Sequence, residues 1–159
     1  MKQEDKELLL KDLCCRLPYG VKAYVKSWSN FKTYENIYVI KSIFPSLNVV
    51  HVQSESGSHD VILGYYDYKF KPYLFPLSSM TKEQEEELFD LFGISLLDSI
   101  GEDCIKIDEC NGITFFLNKG FDVETHLDKL LDWLNRNMFD WRGLIPMELA
   151  LDATGLKIY

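Results

Sequence analysis

Long uninterrupted apolar runs are absent from this 159-residue chain. A membrane-spanning helix needs about 18 such residues in a row, so the sequence predicts no transmembrane segment. The first seven residues, MKQEDKE, are charged and lack the apolar core of a signal peptide. We therefore expect a cytoplasmic protein, in which the four cysteines stay reduced.

Motifs for metal binding and catalysis are also missing. The cysteines stand at positions 14, 15, 104 and 110, and neither spacing is that of a zinc site. The histidines His51, His59 and His126 are scattered, and no G-x-S-x-G, H-E-x-x-H or phosphate-binding glycine loop occurs. The sequence predicts no catalytic residue, no metal ligand and no cofactor. An enzyme whose cysteines and histidines meet only in the folded chain stays open as a third alternative.

The composition is that of an ordinary globular domain. The chain is 47% hydrophobic and 26% charged, and its length predicts one domain over residues 1–159. The formal charge of −8 is uneven: residues 1–80 contain ten Lys/Arg and eight Asp/Glu, and residues 81–159 contain seven and seventeen. The acidic half disfavours general affinity for nucleic-acid phosphates, and a local basic patch in the first half stays open.

The first half of the chain predicts a helix followed by a sheet. Residues 4–17 have apolar side chains at helical spacing, which places Cys14 in the core. From residue 21 the apolar period changes to two, which is typical of strands. Strands are predicted over residues 21–26, 37–44, 47–53 and 61–66. Their short connections predict an antiparallel meander.

The second half predicts two further helices and a hairpin. Residues 71–80 contain prolines and are predicted to be a connector, after which Thr81 and Gln84 have the form of a capping box. The helix that follows presents Leu88, Phe89 and Phe92 on one side. Asn111-Gly112 predicts a two-residue turn between strands over 104–110 and 113–118.

The last helix has the clearest pattern in the chain. It is predicted to begin after the cap residue Asp122, and its apolar positions keep helical spacing: Val123, Leu127, Leu130, Leu131, Leu134 and Met138. Residues 141–159 have no clear period and are predicted to lie over the domain as an extended C-terminal tail. The expected fold is α+β, with an antiparallel or mixed sheet of about four to six strands and two or three helices on one face.

Residues 22–41 contain the most suggestive group of side chains. Lysines alternate with aromatic residues there, and the candidate contacts to a partner or a nucleic acid are Lys22, Tyr24, Lys26, Trp28 and Lys32. Basic residues beside stacking aromatics on a sheet are typical of single-stranded nucleic-acid binding. The alternative is a solvated sheet face of lysine stems and amphipathic rings, because strands favour aromatic residues in any case.

Three segments resemble blocks of a known family. Residues 71–81 read KPYLFPLSSMT and resemble the block K-P-Y-L-R-P-[LM]-S-S-M-T. Residues 13–21 resemble the block L-C-A-R-L-P-Y-G-V. Residues 133–135, 139–145 and 149–151 resemble an ending that reads W-L-N…F-D-Y-R-G-L-I…L-A-L. Together they resemble a family of uncharacterised proteins from Bacteroides-type gut bacteria and their phages and prophages. Phe75 stands where that family has arginine, and Trp141 where it has tyrosine.

The resemblance implies a phage or mobile-element setting and brings no activity, substrate or site residue. The residues themselves indicate structural roles for these segments, with Arg142 expected in an ion pair with an acidic residue. The favoured hypothesis is a small non-enzymatic accessory protein that binds another protein. Single-stranded nucleic-acid binding through residues 22–41 is the alternative, and no membrane partner is expected.

Overall fold

The fold is α+β, as predicted, and its described residues form a six-stranded mixed sheet, a two-stranded hairpin and three helices. A computed structural model describes residues 1–29, 32–55, 57–65, 68–92, 104–108, 112–116 and 123–159; for residues 28, 29, 32, 33, 104–108, 112–116 and 123–127 it describes the backbone. The helices are α1 (Gln3–Arg16), α2 (Lys82–Phe92) and α3 (Val123–Arg136). The strands are β1 (Lys22–Ser29), β2 (Lys32–Phe44), β3 (Val49–Ser54), β4 (Gly57–Ile62), β5 (Tyr68–Leu74), β6 (Cys104–Asp108), β7 (Gly112–Phe116) and β8 (Leu151–Asp152).

The predicted antiparallel meander is confirmed in its topology. The bounds of its fourth strand are wrong, because β4 spans Gly57–Ile62 and not residues 61–66. Strands β1 to β4 pair antiparallel with their neighbours in chain order, and the large sheet runs β4-β3-β2-β1-β5-β8. The sheet is mixed because β5 pairs antiparallel with β1 and parallel with β8. The prediction of a connector over residues 71–80 is wrong in its first half, since β5 continues to Leu74 through Pro72. Proline predicts a break, but Pro72 is paired with β1 alone, because β8 pairs only with Tyr73 and Leu74, and a position with one paired side tolerates proline.

Helix α1 covers one face of the sheet, which we call the inner face. Leu9, Leu10 and Leu13 join a core with the buried side chains of the meander: Val21, Ala23, Val25, Ile40, Val50, Val52 and Val61. The opposite, outer face carries the alternate residues of the same strands. After α1, a short 3₁₀ turn spans Leu17–Tyr19 and is capped by Gly20, whose φ of +72° suits glycine.

The buried side of α1 differs from the predicted stripe. Cys14 is exposed, whereas Asp12 and Arg16 are fully buried. The prediction of Cys14 in the core is therefore wrong. An apolar periodicity cannot find a helix face that buries an acid and a base at i and i+4, because both count as polar in such a pattern.

Helices α2 and α3 form a second core with the segment that follows α3. Leu88 and Phe92 of α2 pack with Leu130 and Leu134 of α3 and with Phe139. The predicted burial of Leu130 and Leu134 is confirmed. Phe89 is 54% exposed, so its assignment to the packed side of α2 is wrong.

The predicted capping box at the start of α2 is confirmed. The Gln84 amide donates to the Thr81 hydroxyl oxygen at 3.3 Å, and the Gln84 side chain accepts from the Thr81 amide at 3.0 Å. At the other helix, α3 ends at Arg136, and Met138 is buried with a φ of +58° beyond the helix end. The cap predicted at Asp122 lies outside the described residues.

The hairpin β6-β7 is present with a different register. Asp108 pairs with Gly112, so Gly112 belongs to a strand and cannot be the second residue of a two-residue turn. Residues 109–111 lie outside the described part of the chain. Asparagine followed by glycine predicts the hairpin correctly and its turn incorrectly, because longer turns also use these residues.

Residues 141–159 form a succession of turns and the short strand β8. Leu144, Ala150, Ala153 and Ile158 are buried within this segment. The single domain with a C-terminal tail stays a prediction. Among the described residues, no helix combines the length and apolar character that crossing a bilayer requires.

Candidate functional site

Strand β1 places three of the predicted contact residues on one face. Lys22, Tyr24 and Lys26 alternate with the buried Ala23 and Val25, so they lie on the outer face. The remaining two predicted residues are also on the sheet. Trp28 is in β1 and pairs with Thr33, and Lys32 of β2 pairs with Ser29; their side chains lie outside the described part.

One acidic residue engages two of these side chains. Glu35 of β2 stands opposite Lys26, and the Lys26 ammonium donates to its Oε2 at 2.9 Å. The Tyr24 hydroxyl donates to the same oxygen at 2.9 Å. The bond from Lys26, and then that from Tyr24, lowers the pKa of Glu35 below its usual range. The Lys26 ammonium and the Tyr24 hydroxyl are therefore already engaged by a carboxylate of the same chain.

The C-terminal segment covers another part of the outer face. The Lys22 ammonium donates to the Ile158 carbonyl, and the Lys22 backbone amide donates to the Tyr159 hydroxyl at 3.0 Å. That hydroxyl donates in turn to the Tyr73 carbonyl at 2.8 Å. Burial is the main cause that raises the pKa of Tyr159 to about 12. Tyr73, Ile158 and the buried Ala153 form a small apolar cluster against which Tyr24 packs.

Strand β5 adds two lysines that the sequence analysis missed. Lys69 stands directly opposite Lys26, and Lys71 stands opposite Tyr24, so both belong to the outer face. The alternation of Lys69 and Lys71 with Phe70 was the signal that could have found them. It was overlooked because Pro72 led to the interpretation of this segment as a connector.

The far end of the outer face is apolar. Phe44, Val49 and Ile62 stand side by side on β2, β3 and β4. Phe44 is 46% exposed and Ile62 is 43% exposed, and Leu47, in the turn that joins β2 to β3, is more exposed still. Nothing in the sequence pattern separated these residues from core residues, because strand periodicity alone does not say which face is covered.

A shallow groove of about 570 Å³ is lined mainly by residues of β2 and β3. Its apolar residues include Ile37 and Val39 of β2, and it is bordered by two lysines, Lys22 and Lys41, and by one acid, Glu55. Ile37 is among the exposed large hydrophobic residues. The groove thus offers an apolar strip whose flanking charges are two lysines and one glutamate.

The described histidines and cysteines do not come together. His51 lies on the outer face, where its Nδ1 is 2.7 Å from Asp60 Oδ1. His59 lies on the inner face against the Tyr38 ring, and burial lowers its pKa. Cys14 and Cys15 are free thiols on α1. Within the described ranges, no three potential metal-ligating side chains gather at one point.

A buried ion-pair network joins α1 to the segment after α3. Arg16 donates to both carboxylate oxygens of Asp12, at 2.7 and 3.0 Å, and to the Phe139 carbonyl at 2.8 Å. The predicted ion pair of Arg142 is confirmed, because its Nε lies 3.3 Å from Asp12 Oδ1. Arg142 also stacks on the Trp141 ring, 3.9 Å from its centre.

Asp140 organises the turn beside this network. Its two carboxylate oxygens accept from the backbone amides of Leu144 and Ile145, at 2.8 and 2.7 Å. Burial raises the pKa of Asp140, although these two bonds and the charge of Arg16 oppose the shift. Both oxygens are engaged by backbone amides and fix the turn, so we assign Asp140 a structural role.

The three segments that carry the family resemblance meet at this network. Arg16 of the first segment contacts Phe139 of the third. Phe75 of the second segment donates to the Met138 carbonyl at 2.9 Å and accepts from the Asp140 amide at 2.8 Å. Their motifs therefore describe one structural junction. A comparison of the chain with family models, with curated proteins and with solved structures gives no match.

Proposed function

We propose that this chain is a small non-enzymatic accessory protein that binds another protein through the outer face of its sheet. The proposal includes a cytoplasmic location and, from the resemblance alone, a phage or mobile-element setting. It assigns the inner face, the α2–α3 core and the Asp12–Arg16 network to folding.

The observation that carries the proposal is the row formed by Phe44, Val49 and Ile62. Scattered exposed hydrophobic residues are normal on a protein surface, but these three are neighbours by strand register. Leu47, in the turn between β2 and β3, is a further exposed apolar residue close to this row in sequence. A contiguous apolar patch bordered by polar residues is typical of a protein-binding surface.

Capture of a partner from the cells that naturally produce the protein tests this proposal. The double variant Phe44→Ser/Ile62→Ser should lose a partner that the wild-type chain retains. Since both side chains are nearly half exposed, its melting temperature should stay close to that of the wild type. Met147→Ser is the matched control, because Met147 is 45% exposed outside the sheet. Equal capture by both variants would contradict the proposal.

Single-stranded nucleic-acid binding is the second candidate. It is favoured by the lysines of β5, which extend the basic region of residues 22–41 across a neighbouring strand. Such binding should weaken with salt, with a slope of about −0.7 per phosphate neutralised. Fluorescence anisotropy with a single-stranded oligonucleotide at low salt measures it. No binding up to about 100 μM protein, the scale of ordinary non-specific binding, would exclude this candidate.

A further inference from the structure

We propose that the outer face recognises an acidic, extended segment of its partner protein, whose carboxylates pair with Lys69 and Lys71 of β5. This inference rests on the proposed function and specifies the chemistry of the partner. It is carried by an arrangement of like charges on β1 and β5.

Lys26 and Lys69 are cross-strand neighbours of the same charge. Residues directly opposite each other in an antiparallel pair are close in space, and like charges there destabilise the sheet. Glu35 offsets one of the two charges through its bond to Lys26. Lys71, two residues after Lys69 on β5 and opposite Tyr24, adds a third ammonium group. A bound anionic group would relieve this repulsion.

The basic character of these strands contrasts with that of the whole chain. Strands β1, β2 and β5 carry a single acid, Glu35, and six lysines: Lys22, Lys26, Lys32, Lys41, Lys69 and Lys71. The formal charge of three adjacent strands is therefore +5, whereas that of the protein is −8. Such local complementarity selects a partner by sign and increases the rate of encounter.

The groove favours a polypeptide over a nucleic acid. Its apolar residues Ile37 and Val39 suit an aliphatic side chain, and its charged residues Lys22, Lys41 and Glu55 leave a net charge of only +1 there, so the carboxylates of the segment are assigned to the lysines of β5. The Tyr24 hydroxyl is already bonded to Glu35, and its ring packs on the cluster of Tyr73. A long polyanion would also meet the repulsion of an acidic protein, whereas a segment with a few carboxylates meets less of it.

Fluorescence anisotropy with three labelled probes tests the inference. The first is a 12-residue peptide that alternates glutamate with valine, the second carries lysine in place of glutamate, and the third is a 12-nucleotide oligothymidine. At low salt the protein should bind the glutamate peptide in preference to the other two. Affinity should fall as salt rises, because exposed charges are screened within about 10 Å at 0.1 M salt.

The variants Lys69→Glu/Lys71→Glu and Lys69→Gln/Lys71→Gln should weaken binding of the glutamate peptide, the first by about tenfold or more. Lys11→Glu should bind like the wild type, because Lys11 is exposed on α1, which covers the other face. Circular dichroism shows whether each variant is folded. If Lys69→Glu/Lys71→Glu is unfolded, the affinity of Lys69→Gln/Lys71→Gln for the glutamate peptide tests the inference.

Three results would overturn the inference: no binding of the glutamate peptide, equal binding of the lysine peptide, or equal weakening by Lys11→Glu. Preferential binding of the oligothymidine would also overturn it and would support the nucleic-acid candidate. The proposed function is tested separately by Phe44→Ser/Ile62→Ser. If that variant loses the partner while the glutamate peptide fails to bind, the face binds proteins of a different chemistry.

Discussion

Removal of Arg16 should cost far more stability than removal of a similar pair on the surface. Arg16→Met deletes both bonds to Asp12 and the bond to the Phe139 carbonyl. Both members of the pair are fully buried, and breaking a buried pair costs about 3–5 kcal/mol, because one charge is left without its partner. Arg142 remains 3.3 Å from Asp12 and keeps the expected cost within this range.

The chain provides its own control for this experiment. Asp132 and Arg136 form an ion pair with the same i,i+4 spacing at 3.2 Å, but both side chains are exposed. An exposed pair contributes about 0–1 kcal/mol, so Arg136→Met should lower the free energy of unfolding by no more than that.

Urea denaturation followed by tryptophan fluorescence measures both values. The double variant Asp12→Leu/Arg16→Met should be no more stable than Arg16→Met alone, because it also removes the acid that pairs with Arg142. Equal losses for Arg16→Met and Arg136→Met would contradict the high cost expected for the buried pair. A double variant clearly more stable than Arg16→Met would show that the Asp12–Arg142 pair does not offset the burial of the Asp12 charge.

Three further outcomes are expected. Leu134→Ala should lower the free energy of unfolding by about 2–5 kcal/mol, whereas Phe89→Ala, at an exposed position, should change it by about 0.5 kcal/mol or less; similar costs would contradict the packing of α2 on α3. Because the pKa of Tyr159 is raised to about 12, the folded state holds this proton longer, so stability should fall between about pH 10, the usual value, and pH 12. In urea titrations, Tyr159→Phe should lose less stability over that interval, and an identical loss would contradict the assignment. Maleimide labelling of the native protein should modify Cys14 and Cys15, with Cys14 slower because burial raises its pKa; protection of either thiol, read by peptide mass spectrometry, would contradict its exposure.

Local patterns were sufficient for most of the fold. The alternation of apolar and polar residues predicted the meander, and the capping residues Thr81 and Gln84 predicted the start of α2. These signals depend on neighbours in sequence, which the chain itself supplies. Leu130 and Leu134 were identified for the same reason, because a long amphipathic stripe leaves one buried side.

Features that depend on distant contacts were not predicted. The burial of Asp12 and Arg16 follows from the Phe139 carbonyl, which lies 123 residues away from Arg16 in the chain. The placement of Lys69 beside Lys26 requires the pairing of β5 with β1, which no periodicity specifies. The candidate surface combines predicted residues of β1 with unpredicted ones of β5, because a binding face is a property of strand order.

Photo-cross-linking from the outer face tests whether a protein binds there. A photoreactive amino acid is placed at position 37, in the groove, and at position 147 as the control, in cells that naturally produce the protein. We expect a protein adduct from position 37 and none from position 147. Adducts from position 147 alone, or a nuclease-sensitive adduct from position 37, would contradict the claim that this face binds a protein.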